Sequence, residues 1–131
     1  LDEYTNDLAA DLQSAYQEAV VISVQANTSV EARLDFVLPY ALVLSELVTN
    51  AAKHGHGPDG PAHVEVTASV HDHGFTLRVQ DHGPGFPDTF RPGLGWQVIA
   101  ELAAQNRGRV ARHNDTGACV AVTFPLDALT R

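Results

Sequence analysis

Between Ala41 and His54 runs an apolar stretch, ALVLSELVTNAAKH, that carries Glu46, Asn50, Lys53 and His54. Wound as a helix at roughly 100° per residue, these four polar residues fall within about 100° of one another, while Leu44, Leu47, Val48 and Ala51 cover the opposite side. Glu46 and Asn50 stand one turn apart and stack on one face. So apolar a helix must be largely buried. Carboxylate, amide and ammonium groups on it are costly unless each has a partner. A binding site supplies such partners; the bland alternative is a stripe that faces water.

A second group is Asp81-His82-Gly83-Pro84-Gly85. Phe75, Leu77 and Val79 alternate with Thr76, Arg78 and Gln80, so period-two counting puts Asp81 on the apolar face of its strand. A carboxylate there needs a hydrogen-bond donor, from the protein or from a ligand amino group. Gly83 and Gly85 let the backbone approach a flat ligand closely, or simply turn. A third group, Gly93-Leu94-Gly95, stands directly before an apolar helix. Open backbone N–H groups at a helix N-terminus, aided by the dipole, suit phosphate; a loop needing two glycines reads the same way. Taken in order, the three groups amount to a metal-phosphate site, a base site and a phosphate cradle.

The elements that must position them follow from periodicity. Leu1 to Ala19 reads as an amphipathic helix, Val20 to Ala26 as a strand closed by Asn27-Thr28-Ser29, and the polar-striped helix starts with Asp35 as its cap and Pro39 in its first turn. His54 to Pro61 is a Gly/Pro-rich loop. Ala62 to Val70 and Phe75 to Gln80 form a hairpin around residues 71–74. The glycine-opened helix runs to Gln105 and ends on Gly108 as a left-handed cap. Gly108 to His113 and Ala118 to Phe124 make a last hairpin around residues 114–117. This order predicts a two-layer α/β sandwich, with helices covering one face of a mixed, mainly antiparallel sheet.

At 131 residues the chain is expected to be one domain, 1–131. A net charge of −8 repels a phosphate backbone, so nucleic acid is not an expected partner. No apolar run is read as long enough to cross a membrane, and there is no signal-peptide pattern. The lone Cys119 reads as a small buried hydrophobe in a reducing compartment. The absence of methionine and the start at Leu1 suggest a piece of a longer protein.

Glu46 to His54 resembles the N box of the GHKL ATPases, Asp81 to Gly85 their first glycine box and Gly93-Leu94-Gly95 their second. Within that superfamily the chain looks like the catalytic ATP-binding domain of a sensor histidine kinase. The resemblance implies the Bergerat fold, with ATP between the helical layer and a lid. It implies Mg²⁺ on Asn50, and Glu46 holding a metal-bound water or acting as a base. Asp81 would accept from the adenine amino group, with Gly83 and Gly85 shaping the adenine pocket. Lys53 and His54 would face the phosphates, which Gly93, Leu94 and Gly95 cradle. The implied reaction is transfer of the γ-phosphoryl group to a histidine on a separate, dimerising helical acceptor domain, with a response regulator downstream. The implied setting is cytoplasmic, without direct membrane contact by this domain, although the parent could be membrane-anchored.

Three departures from the family pattern stand out. Only Phe86 to Pro92 separate the glycine boxes, so the lid is short. Trp96 follows Gly95 where a smaller aliphatic residue is usual, and Ala118 stands where relatives place a threonine, Thr123 being too far along to replace it. The pairs His54/His56 and His71/His73 read as surface or turn histidines, and no histidine lies in an acceptor-helix pattern. Two other readings share the motifs: an anti-sigma switch protein that phosphorylates serine, and a scaffold that has lost nucleotide.

Overall fold

In a computed structural model of the chain, the described residues are 1–16, 19–54, 60–86, 93–114 and 116–130. They form α1 (Asp2–Tyr16), β1 (Val20–Ala26), α2 (Leu34–His54), β2 (Ala62–His71), β3 (Gly74–Asp81), α3 (Leu94–Gln105), β4 (Arg109–Asn114), β5 (Ala118–Pro125) and α4 (Leu126–Thr130). The strands join in the order β1-β2-β3-β5-β4. β1 runs parallel to β2, which its connection through α2 requires. The other three pairings are antiparallel. The expected mixed, mainly antiparallel sheet is therefore present, covered by the helices on one face.

Alternation decides which face. Phe75, Leu77 and Val79 on β3 pair with Phe124, Val122 and Val120 on β5, and all six are buried under the helical layer. On α2, Phe36, Tyr40, Val43, Leu44, Leu47, Val48 and Ala51 turn inward, a stripe at helical spacing that drives the helix onto β2 and β3. Its outer side exposes Leu34, Leu38 and Leu42. At the end of α2 remote from Asn50, Phe36 meets Phe124 edge-on at 5.1 Å and Tyr40 meets Phe75 at 5.9 Å. Each such ring is worth about 1.5–3 kcal/mol in burial. This aromatic layer anchors the helix well away from Glu46 and Asn50.

Several local expectations are corrected. α2 is long and apolar enough over Leu34–Lys53 to cross a membrane by length and composition, contrary to the reading that no run is. Its inner face is the core of the sandwich, however, and it carries Glu46, Asn50 and Lys53. The helix begins at Leu34, so Asp35 lies in its first turn rather than capping it, and Pro39 falls beyond that turn. Asp35 instead pairs with Arg33 at 3.5 Å. α3 closes through Arg107, at φ 60°, not Gly108: the Arg107 N–H bonds the Ala104 carbonyl and the Gly108 N–H the Ala103 carbonyl. Gly108 is needed for space, since a Cβ there would stand 2.7 Å from the Phe124 ring. α1 ends at Tyr16 before residues 17–18, which lie outside the described ones. α4 is too short for periodicity to announce; it packs by Ala128 and Leu129, and its Leu129 carbonyl accepts the Arg33 N–H at 2.6 Å.

Candidate functional site

Asp81 ends β3 on the buried face, 2% exposed, as alternation requires. Its Oδ1 accepts two backbone N–H groups, from Gly83 at 2.9 Å and from Ala118 at 3.0 Å. One oxygen of the buried carboxylate is thus held by two backbone N–H groups, and the other, Oδ2, has no hydrogen bond among the described residues. Gly117, at φ 131°, closes over it. A Cβ on Gly117 would run into the Asp81 carbonyl oxygen and stand 2.9 Å from Oδ1. Gly117 and the Ala118 N–H thus join Asp81, although by sequence residues 114–117 are an ordinary hairpin turn. Their only signal is a glycine in a turn whose strand pairs with β3. The missing threonine hydroxyl at 118 is accompanied by a backbone contact that no side chain decides.

The other end of the site lies where α2 meets the start of α3. A Cβ on Gly95 would stand 2.8 Å from Glu46 Oε2 and 3.9 Å from Asn50 Oδ1, so glycine lets α3 begin against those two side chains without displacing the Glu46 carboxylate. Within α3 the Gln97 N–H is the first to reach back, to the Gly93 carbonyl at 3.2 Å, and no side chain caps the helix. The N–H groups of Leu94 and Gly95 stand at this open end, where the helix dipole suits an anion. Asn50 Nδ2 is fully buried without a partner, and Glu46 makes no ion pair among the described residues. An orphaned amide beside a carboxylate is costly unless something binds there.

The structure therefore brings Glu46, Asn50 and Gly95 together, and separately Asp81, Gly83 and Gly117. Gly85, at φ 83°, lies against Asn114 of β4. Gly93 caps α3 in an extended conformation, and a Cβ there would meet nothing within 4 Å. Leu94 and Lys53 are exposed on the rim. The side chain of His54, residues 55–59 and the lid residues 87–92 lie outside the described ones. Trp96 is half-buried and packs on Phe86 at 5.8 Å between centroids. His71 and His73 are exposed, as read from the sequence. Cys119 is buried, but on the sheet face away from the helices, where Arg78 Nε donates to its Sγ at 3.0 Å; its surroundings are polar rather than apolar.

No cluster of His, Cys, Asp and Glu able to hold a metal occurs among the described residues. The donors that fit a hard cation are Asn50 Oδ1 and the Glu46 carboxylate. Such a pair suits Mg²⁺ held mainly by ligand phosphates and water. The unpartnered Asn50 Nδ2 beside it suits a phosphate oxygen.

The family model described as histidine kinase-, DNA gyrase B- and HSP90-like ATPase matches residues 37–128, and the chain belongs to that family. Its relatives include the signal transduction histidine-protein kinase AfsQ2 of Streptomyces coelicolor, 30% identical over 129 residues, which cover 81% of this chain and 23% of that protein. An anti-sigma F factor of Bacillus licheniformis is 36% identical over 55 residues, covering 42% of this chain and 38% of that protein. The blue-light activated histidine kinase of Erythrobacter litoralis shares the fold, with a TM-score of 0.87 at 24% identity over 96% of this chain and 42% of that one. The fold expected from the motifs is thus the fold found.

Proposed function

We propose that this chain is the ATP-binding catalytic domain of a sensor histidine kinase, one domain over residues 1–131, that donates the γ-phosphoryl group of ATP to a histidine on a separate acceptor domain. The observation that carries this reading is the pairing of an Asp81 carboxylate, one of whose oxygens has no hydrogen bond among the described residues, with a Glu46-Asn50 pair left unpartnered among them against the open start of α3. Asp81 accepts from the exocyclic amino group of the base. The first N–H groups of α3 and the Lys53 ammonium bind phosphate oxygens. Mg²⁺, when bound through Asn50, supplies neutralisation of phosphate charge. Glu46 holds a proton-bearing partner in place, acting as a base toward the attacking imidazole or orienting a water. The acceptor nitrogen forms the new N–P bond as the bond from the γ-phosphorus to its bridging oxygen breaks, and ADP leaves. On this reading the domain works in the cytoplasm, with the acceptor domain as its immediate partner and a response regulator downstream.

Incubation with γ-labelled ATP tests it. The chain alone binds ATP with Mg²⁺ and stays unlabelled. Supplied with an acceptor helical hairpin of a related kinase, it labels that hairpin with an acid-labile phosphate. The likeness to anti-sigma F factors supports a second reading, in which the label is acid-stable and sits on a partner's serine. Label on the isolated chain overturns the division between donor and acceptor.

A further inference from the structure

β4 is an edge strand of the sheet, and two of its side chains reach the loop that follows Asp81. Asn114 takes the backbone of Phe86 from both sides: the Phe86 N–H donates to Asn114 Oδ1 at 2.7 Å, and Asn114 Nδ2 donates to the Phe86 carbonyl at 3.2 Å. The same Oδ1 lies 2.7 Å from where a Cβ on Gly85 would be. Gly85 is thus glycine for two reasons, its φ of 83° and the amide packed against it. Two residues earlier, the Arg112 guanidinium stands over Phe86 at 5.7 Å and over Trp96 at 5.9 Å. Phe86 lies in the loop that follows the base-binding carboxylate. Trp96 belongs to the first turn of α3, next to the glycine that touches Glu46. One strand therefore ties down both ends of the site.

We propose that Asn114 is a positioning residue for nucleotide binding: its side-chain amide holds Gly85 and Phe86 in the shape that leaves Asp81 open to the base, and Arg112 joins that loop to the start of α3. The inference rests on the nucleotide reading of the site. Asn114 is exposed and adds nothing to the apolar core, so its fork of hydrogen bonds stabilises the loop far more than the fold. Without the fork, the loop must be ordered when nucleotide binds, and that cost falls on affinity.

The test uses the chain as it stands, with ADP affinity measured by calorimetry and the exchange rate of the Phe86 amide followed by NMR without nucleotide. Asn114→Ala raises the Kd for ADP about 5- to 30-fold and speeds Phe86 exchange. Asn114→Asp retains an acceptor for the Phe86 N–H and falls between Asn114→Ala and the parent, which keeps the question answerable if the alanine variant folds poorly. Arg112→Gln raises Kd about two- to fivefold. Val110→Ala, on the same strand and packed against the core, lowers stability and leaves Kd alone. Unchanged ADP affinity in Asn114→Ala overturns the inference, as does an equal loss in Val110→Ala, which would make the effect one of general destabilisation. A parent that binds no ADP overturns the nucleotide reading and this inference with it; a parent that binds beside an unaffected variant overturns this inference alone.

Discussion

The two ends of the site are built to opposite rules. At Asp81 the protein meets its own needs: two backbone N–H groups fix one carboxylate oxygen, and Gly117 closes over the strand end. At Glu46 and Asn50 it does not, leaving a buried amide nitrogen without a partner and a carboxylate without an ion pair among the described residues. The first end can discriminate before anything binds, because its geometry is set by the sheet. The second is stabilised only by what arrives, which is the natural design for a group that must bind and then leave. A difference of this kind predicts that stability and binding respond oppositely at the two ends.

The largest effect is expected from Gly117→Val. Its side chain would be forced into the Asp81 backbone at a φ that branched residues avoid, so the Asp81 end of the site loses its shape. Loss of detectable ADP binding with a fall in stability of about 3 kcal/mol or more is the expected result. Binding that survives would mean the turn is not part of the site. Asp81→Asn comes next: one amide oxygen still accepts from Gly83 and Ala118, but on the proposed reading an NH₂ then faces the donor of the base. Affinity for ADP should fall by about 1.5–3 kcal/mol while the thermal midpoint stays near the parent's. A large drop in midpoint with unchanged affinity would reverse the assignment.

Asn50→Leu carries the comparison to the other end, with the opposite sign. Removing a buried donor that has no partner should raise stability by about 1 kcal/mol, measured by urea unfolding, while the enhancement of ATP binding by Mg²⁺ disappears. A destabilised variant that still responds to Mg²⁺ would show that the two ends do not differ in this way. The smallest effect is remote from both ends. The Tyr40 hydroxyl bonds Thr5 across α1 and α2 at 2.6 Å, and burial pushes its pKa up to about 12 from 10, against the Thr5 bond that lowers it. Because the folded value lies above the unfolded one, stability is intact below pH 10 and falls as pH rises from 10 toward 12, where the unfolded chain ionises first. In Tyr40→Phe that fall is lost, along with about 1 kcal/mol at neutral pH. An unchanged pH profile would remove Tyr40 as its cause.

Much of this was present in the sequence because it depends on local order. Helical spacing put Glu46 and Asn50 on one face, and strand alternation turned Asp81 toward the core. Glycine before an apolar run marked the start of α3, and the element order with its hairpins implied the mixed, mainly antiparallel sheet. Each is a property of residues within a turn or two of one another, where backbone geometry leaves few choices. What only the tertiary structure decided are the contacts between residues far apart in the chain. Gly117 and Ala118 reach Asp81, and Asn114 reaches Phe86, because the pairing of β5 with β3 and of β4 with β5 brings a late hairpin beside an earlier loop. Gly95 meets Glu46 because α3 packs across α2. The orphaned Asn50 nitrogen exists only once the helices and sheet have excluded water and other acceptors from around it. Periodicity can place a polar group on a buried face, but which partner it meets there, or whether it meets none, depends on packing that no spacing within one element contains.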